Sequence, residues 1–247
     1  MNFVLQTFNG EIRDVEIFNM VKILNTYSKY DGHTYKLSDK SDIEGLADYI
    51  PIGTLEYVGS HLKKYHGIGL ENPIEIPKTM RGKDYVGRYY KILKREDIPD
   101  RGFSFIKDVS RLKSYCGLMA ISDYTRKYLE GTVYQISEYV EFISEYRVFV
   151  LRGVIQAIQH YKEDVKVFPD IDIIEQIITD YTAIEGSSKA FTVDVGIDKQ
   201  GRTLLIEIHT FNSCGTYGFD DKALIRMYEL GYKYIVNSNK GLELDGV

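Results

Sequence analysis

Two β-rich runs near the end of the chain, residues 190–197 and 202–209, constrain the fold more than any other feature. Apolar and β-branched side chains dominate both runs, and a polar turn that contains Gly201 separates them. This pattern predicts a β-hairpin. Each run also carries one acid among its apolar residues, Asp194 in the first and Glu207 in the second. The hairpin therefore decides where these two carboxylates lie relative to each other.

A symmetric turn predicts that Asp194 lies opposite Leu205 and that Glu207 lies opposite Thr192. Opposed residues share a face and side chains alternate along each strand, so Asp194, Glu207 and His209 should project the same way. The two acids would then be diagonal neighbours, with backbones roughly 7–8 Å apart.

Two interpretations of this acidic face remain open from its spacing alone. Neighbouring carboxylates repel each other, and a bound cation would relieve the repulsion. Mg²⁺ is the favoured cation, because it prefers oxygen ligands and completes its shell with water and substrate phosphate. The alternative is a half-exposed hairpin whose acidic face is simply hydrated.

The composition narrows the classes of function. The 247 residues are 44% hydrophobic and carry a formal net charge of −5, which argues against nucleic acid or an anionic membrane as a general partner. The two cysteines, Cys116 and Cys214, are far apart and form no zinc motif, which fits a reducing cytosol. The chain does not start like a signal peptide, and no apolar stretch approaches roughly 18 residues. We therefore expect a cytoplasmic protein without a membrane segment.

Helices and strands are mixed along the chain, and hairpins dominate its second half, which predicts an α+β fold. Breakers cluster at residues 66–82 and place a domain boundary there, between residues 1–82 and 83–247. A capping-box pattern at Ser41 predicts a short helix over residues 42–49. The other predicted elements are strands at 3–8, 85–93, 103–107, 132–142, 146–151 and 154–160, and helices after Asp14, after Thr54, at 122–129, at 171–184 and after Asp220.

A first candidate cluster is the short apolar strand 103–107, which ends in Lys107, and the basic loop that follows it with Arg111 and Lys113. A lysine at a strand end beside such a loop can supply charge where phosphoryl oxygens lie. The alternative is a solvated basic loop.

A second cluster spans residues 135–150. The backbone of residues 137–140 could read an adenine edge, and Glu145 could accept hydrogen bonds from ribose hydroxyls. Arg147 starts an otherwise apolar strand, where an unpaired cation would be costly, so a phosphate or a carboxylate should accompany it. The alternative is a structural ion pair of Arg147 with Glu145 or Asp194.

A third cluster runs from Glu207 and His209 into a loop of small polar residues that includes Asn212 and Cys214. Such loops present backbone N–H groups to ligands. No Cys/His/Asn arrangement accompanies Cys214, so a cysteine nucleophile is not expected.

The order of these clusters resembles the ATP-grasp superfamily, in particular a poorly characterised clade from phage and bacterial genomes. The resemblance covers roughly residues 85–236 and is carried by residues 137–150, 191–198 and 204–218; residues 51–58 resemble a segment that precedes it in that clade. It implies an ATP-grasp fold, with an N-terminal α/β pre-ATP-grasp domain at 1–82, a lid-like subdomain at 83–145 and a metal-binding subdomain at 146–247.

The resemblance also implies how the nucleotide is held. Lys107 would contact the phosphates and the adenine side, while Lys113 and Gly117 would belong to a flexible loop over the phosphates. Glu145 would face the ribose. The adenine linker would be formed by Glu138, Tyr139 and Val140.

The catalytic residues implied by the resemblance lie on the third cluster and the strand before it. Arg147 would meet the γ-phosphate or an acyl phosphate, and Asp194 and Glu207 would hold Mg²⁺. Members of the superfamily usually carry asparagine two residues after the second carboxylate. His209 stands there in this chain, so either His209 or Asn212 would complete the site.

The implied function is an ATP-dependent carboxylate–amine or carboxylate–thiol ligase that forms an acyl phosphate and releases ADP and phosphate. Its partners would be ATP, Mg²⁺ and small-molecule or peptide carboxylate and amine substrates. Two alternatives stay open: a non-catalytic nucleotide sensor, and a nucleotidyl-transferring enzyme similar to RNA ligases.

Overall fold

A computed structural model describes residues 1–69, 75–111 and 114–238, without the side chains of residues 28–30. Within these ranges, eleven strands form three sheets, accompanied by five α-helices. No helix in the described residues is long and apolar enough to cross a membrane.

The N-terminal sheet is parallel and has the order β2-β1-β3. Its central strand is buried on both faces, as expected for a parallel sheet. Asp14 and Thr54 cap the two helices by accepting backbone N–H hydrogen bonds, as predicted. The elements are β1 (Asn2–Gln6), α1 (Val15–Asp31), β2 (Thr34–Ser38), β3 (Tyr49–Ile52) and α2 (Leu55–His66).

The helix predicted over residues 42–49 is wrong. Residues 41–48 form turns, and β3 begins at Tyr49. Ser41 is buried and its hydroxyl donates to the carbonyl of Tyr57, so a tertiary contact takes the place of the local cap. Pro51 lies inside β3, which it can do because β3 is an edge strand of this sheet.

The second sheet, here called the lid sheet, is antiparallel with the order β4-β7-β5-β6. The predicted strand at 85–93 begins only at Tyr90, and the predicted strand at 132–142 is two strands with a linker at 138–141. The elements are β4 (Tyr90–Lys94), β5 (Gly102–Asp108), β6 (Cys116–Ile121), α3 (Asp123–Arg126) and β7 (Val133–Ser137).

The third sheet, here called the central sheet, is antiparallel with the order β11-β10-β8-β9. One face packs on α4 through an apolar core that includes Val148, Val193 and Ile177. The predicted cap of the last helix is wrong: Asp221 accepts from Ala223 N–H, and Asp220 pairs with Lys22 instead. The elements are β8 (Phe142–Leu151), β9 (Val154–Glu163), α4 (Ile171–Thr182), β10 (Ala190–Asp198), β11 (Thr203–Thr210) and α5 (Ala223–Asn237).

The apolar cores of the three sheets are divided unequally. Phe3 and Leu5 of the N-terminal sheet share one core with Phe149 and Phe211 of the central region and with α5. The lid sheet has a separate core around Ile106 and Tyr134. The N-terminal and central sheets are therefore packed together, whereas the lid sheet stands over the other half of the central sheet.

Helix α2 is joined to α5 by a buried polar contact. The ring of His61 is fully buried, with Nε2 at 2.9 Å from the carbonyl oxygen of Leu46 and Nδ1 at 3.0 Å from the hydroxyl of Tyr232. A carbonyl only accepts, so Nε2 carries the proton, and Nδ1 accepts from the tyrosine. The geometry thus requires the neutral imidazole.

We expect this contact to make stability depend on pH. Burial lowers the pKa of His61, so the unfolded chain takes up its proton first as the pH falls below about 6.5. The stabilisation from neutral His61 is present above that pH and is lost below it. Urea unfolding at pH 7.5 and 5.5 should show a smaller acid-dependent loss in His61→Gln than in the wild type. Equal losses would contradict the assignment.

Candidate active site

A cleft of about 690 Å³ lies between the lid sheet and the central sheet. Strands β5 and β7 and the linker at 138–141 supply one side, and strands β8 to β11 supply the other. The predicted site residues that line it are Lys107, Glu138, Tyr139, Val140, Glu145, Asp194 and Glu207.

The pairing of β10 with β11 differs from the symmetric turn predicted from the sequence. Asp194 lies directly opposite Glu207, whereas Val195 pairs with Leu205, so Ile206 is an extra residue in a β-bulge. The predicted pairing of Asp194 with Leu205 is wrong. The bulge brings the two acids together as direct cross-strand neighbours, whose Cβ atoms are typically about 4.5–5.5 Å apart, closer than a diagonal pair.

Arg88 supports this bulge from the segment before β4. Its guanidinium donates to the carbonyl oxygens of Val86 at 2.9 Å and Leu205 at 2.8 Å, and lies 3.5 Å from that of Ile206. Burial lowers the pKa of Arg88, and its side chain also lines the cleft. Sequence reasoning missed this residue, because no local pattern links it to a bulge more than a hundred residues away.

Arg147 holds Asp194 in a bidentate ion pair. Its Nε and Nη2 donate to the two carboxylate oxygens at 2.8 and 2.7 Å, and Nη1 donates to the carbonyl of Gly215 at 3.2 Å. Burial alone would lower the pKa of Arg147, but the hydrogen bonds and charge of Asp194 outweigh it and raise that pKa. Burial raises the pKa of Asp194 to about 6 against the opposing effect of Arg147, so the carboxylate is ionised at neutral pH.

Lys107 pairs with the other acid across the cleft. Its Nζ lies 2.6 Å from Glu207 Oε2, and each side chain retains 21% of its exposure. Each of the two acids therefore faces one cation, and the four side chains sum to zero charge. A nucleotide phosphate or a divalent cation that enters here would have to rearrange the pair of Lys107 with Glu207.

The two opposed carboxylates fit Mg²⁺, which is commonly bound through one or two protein carboxylates with water and phosphate completing its shell. In residues 1–69, 75–111 and 114–238, no group of three or more His, Cys, Asp or Glu side chains is arranged to hold a metal. His209 thus does not join Asp194 and Glu207 in such a group. It projects from the same face but one pair further along, opposite Thr192.

His209 and Asn212 lie outside the lining of the cleft. Burial lowers the pKa of His209 to about 4, so its ring is neutral, and neither His209 Nδ1 nor the hydroxyl of Thr192 has a hydrogen-bond partner among the described residues. Asn212 is buried, and its side-chain oxygen accepts from the backbone N–H of Ser213. The structure therefore does not bring Asn212 to the two acids.

An aromatic wall stands over Arg147. The rings of Tyr161 and Tyr217 stack with centroids 5.0 Å apart, and the Tyr217 ring lies 5.1 Å from the guanidinium carbon of Arg147. The Tyr161 hydroxyl donates to Glu145 at 2.9 Å, and Lys162 donates to the same carboxylate. Sequence reasoning missed these tyrosines, which are two among 21.

The linker between the lid and central sheets presents free backbone groups to the cleft. Glu138 closes its start through reciprocal hydrogen bonds with the backbone of Tyr89. In the described part of the chain, the backbone N–H and C=O groups of Tyr139 and Val140 have no hydrogen-bond partner. Such groups can pair with the edge of a purine base.

The predicted phosphate loop is described only in part. Gly117 lies in β6, opposite Ile106, and not in the loop as predicted. Lys113 lies outside the described residues.

Comparison with solved structures shows the fold to which this cleft belongs. D-alanine–D-alanine ligase from Bacillus anthracis is similar with a TM-score of 0.57 and 13% identity, covering 95% of this chain and 98% of the other. N5-carboxyaminoimidazole synthetase from Staphylococcus aureus has a TM-score of 0.53 and 14% identity, covering 95% and 76% of the two chains. A RimK domain protein, described as ATP-grasp, from Sphaerobacter thermophilus has a TM-score of 0.54 and 11% identity, covering 96% and 99%.

Sequence comparison supplies the family. No curated protein matches the chain. A family model for an ATP-grasp domain, the second family of one clade of that superfamily, matches residues 87–227. The match covers more than half of the chain and includes the residues that line the cleft. The expected α+β ATP-grasp fold is thereby confirmed. The chain belongs to the ATP-grasp superfamily, as a member of this family.

Proposed function

We propose that this protein is an ATP-dependent ligase that joins a carboxylate to an amine or a thiol through an acyl phosphate. The observation that carries the proposal is the cleft in which two directly opposed acids, Asp194 and Glu207, each face a cation, Arg147 or Lys107. Positioning and neutralising a polyphosphate are the main tasks of phosphoryl transfer.

The residues of the chain divide these tasks. Tyr139 and Val140 offer free backbone groups to the adenine, with Glu138 closing the start of that linker, and Glu145 lies where it can meet the ribose. Lys107 and Arg147 are placed to neutralise the charge of the transferred phosphoryl group. Mg²⁺, when bound at Asp194 and Glu207, would bridge phosphate oxygens and stabilise that charge further.

The reaction that these groups serve has two steps. An oxygen of the substrate carboxylate attacks the γ-phosphorus, and the bond from that phosphorus to ADP breaks. The amine nitrogen or thiol sulfur then attacks the acyl carbon, and inorganic phosphate leaves. The division into residues 1–82, 83–145 and 146–247 belongs to this proposal, with the first segment contributing to acceptor binding.

The products of ATP consumption test the proposal. We expect purified protein with ATP, Mg²⁺ and pooled amino acids, peptides and polyamines to release ADP and phosphate in equal amounts, with a condensed product visible by mass spectrometry. AMP and pyrophosphate with an acid-stable lysyl-adenylate would support nucleotidyl transfer instead. Saturable ATP binding without any product would support a sensor.

A further inference from the structure

A second pocket, here called the acceptor pocket, lies between the N-terminal sheet and the loop that follows β11. It has a volume of about 280 Å³ and is formed by the start of α1, the start of α2 and residues 213–215. This volume is near the lower end of the range for small-molecule sites, which suits a ligand of amino-acid size or the end of a longer chain.

The acceptor pocket shares its loop with the cleft. Gly215 lines the pocket, and its carbonyl accepts from Nη1 of Arg147, whose other nitrogens hold Asp194. The next residue, Thr216, donates its N–H to Glu16 Oε1 at 3.3 Å, which ties the loop to the start of α1. A ligand in this pocket would thus lie one loop away from the groups proposed to hold the γ-phosphate. The cavities near Arg95 and near Met1 share no residue with this loop.

The lining of the acceptor pocket has one sign of charge. Asp14 and Glu16 are its ionisable carboxylates, and no lysine, arginine or histidine of the described chain lines it. Burial and the adjacent Asp14 raise the pKa of Glu16, as expected for two neighbouring carboxylates with no cation between them. Asp14 is already engaged as the cap of α1, so Glu16 is the carboxylate available to a ligand.

The apolar part of the lining limits the rest of the ligand. Ile17, Ile52 and Leu55 supply aliphatic surface, and the hydroxyl of Ser213 is used in a hydrogen bond to the carbonyl of Gly53. Among the described residues, no group in this lining would pair with a carboxylate or a phosphate through a positive side chain. The pocket therefore matches a cationic head on a short, largely apolar body.

We propose that the acceptor pocket binds the nucleophile of the reaction as a protonated primary amine whose ammonium is held by Glu16. The proposal rests on the proposed ligase function, and it selects the amine over the thiol as the attacking group. Attack on the acyl carbon requires the ammonium to lose one proton, which a hydrogen-bonded carboxylate can accept.

Cys214 provides a test that needs neither ATP nor the natural substrate, because its thiol lines the acceptor pocket. In a Cys116→Ser background, labelling of Cys214 by methyl methanethiosulfonate would be followed by mass spectrometry. Two probes would compete with labelling: glycinamide, which carries an ammonium and no carboxylate, and N-acetylglycine, which carries a carboxylate and no ammonium.

We expect glycinamide to slow the labelling saturably and N-acetylglycine to leave it unchanged. Glu16→Gln should raise the half-protecting glycinamide concentration by at least about tenfold, the loss typical of a charge-assisted hydrogen bond. Glu44→Gln changes an exposed glutamate outside the pocket and should have no effect. Circular dichroism and ATP affinity would show that each variant is folded.

Equal protection by the two probes, no protection by glycinamide, or an unchanged half-protecting concentration in Glu16→Gln would overturn the proposal. These outcomes are independent of whether the protein forms ADP. A protein that shows charge-selective protection but consumes no ATP would retain the amine site and lose the ligase function.

Discussion

Replacing Glu207 by glutamine is expected to lower ADP formation by at least about 10²-fold while the fold is retained. The amide is a poor ligand for Mg²⁺ and cannot balance the charge that the metal brings. The side chain is partly exposed, so loss of its pair with Lys107 should change the free energy of unfolding by no more than about 1 kcal/mol. Coupled measurement of ADP release and urea unfolding would check both statements.

Glu11→Gln is the matched control, because it removes an equivalent charge from an exposed pair with Arg13 outside the cleft. Its turnover should equal that of the wild type. Asp194→Asn is a less clean variant, since it would leave the buried guanidinium of Arg147 without a counter-charge and cost about 3–5 kcal/mol of stability. Turnover of Glu207→Gln at the wild-type rate would remove the metal assignment.

Lys107→Met is expected to change nucleotide and metal binding in opposite directions. Without the ammonium, ATP should bind at least about tenfold more weakly, because a charge-assisted contact to phosphate is lost. A divalent cation without nucleotide should bind more tightly, because Glu207 is no longer neutralised at 2.6 Å by a competing cation. Calorimetric titrations with a non-hydrolysable ATP analogue and, separately, with Mn²⁺ would measure the two affinities.

The same substitution in a remote pair supplies the control for this experiment. Lys22→Met removes a lysine that pairs with Asp220 at 2.8 Å on the outer surface, and it should leave both affinities unchanged. If Lys107→Met weakened Mn²⁺ and the nucleotide together, Glu207 would not be a ligand of the metal.

The sequence was sufficient to predict the family and the hairpin that carries the two acids. The hairpin is readable because strand propensity and the polar turn are local properties of residues 190–209. Its register was not readable: the bulge at Ile206 depends on Arg88, whose guanidinium satisfies the carbonyls of Val86 and Leu205. Long-range support of this kind leaves no mark on the local pattern.

The same limit explains the other differences. Ser41 carries a valid capping pattern, but a buried bond to the carbonyl of Tyr57 holds it in a turn. For Arg147, the sequence required a partner without deciding between a phosphate and a carboxylate, and in the structure the partner is Asp194. The stacking of Tyr161 on Tyr217 joins two segments that only the folded chain brings together.

The unequal division of the apolar cores determines how the molecule can be cut. Phe149 and Phe211 lie within the matched residues 87–227, yet they are covered by Phe3, Leu5 and the rest of a core that begins at the other end of the chain. A fragment trimmed to the matched residues would expose these aromatic rings to water. The autonomous folding unit is therefore longer than the segment that defines the family, and opening of the cleft falls to the lid strands β5 and β6, which carry Lys107 away with them.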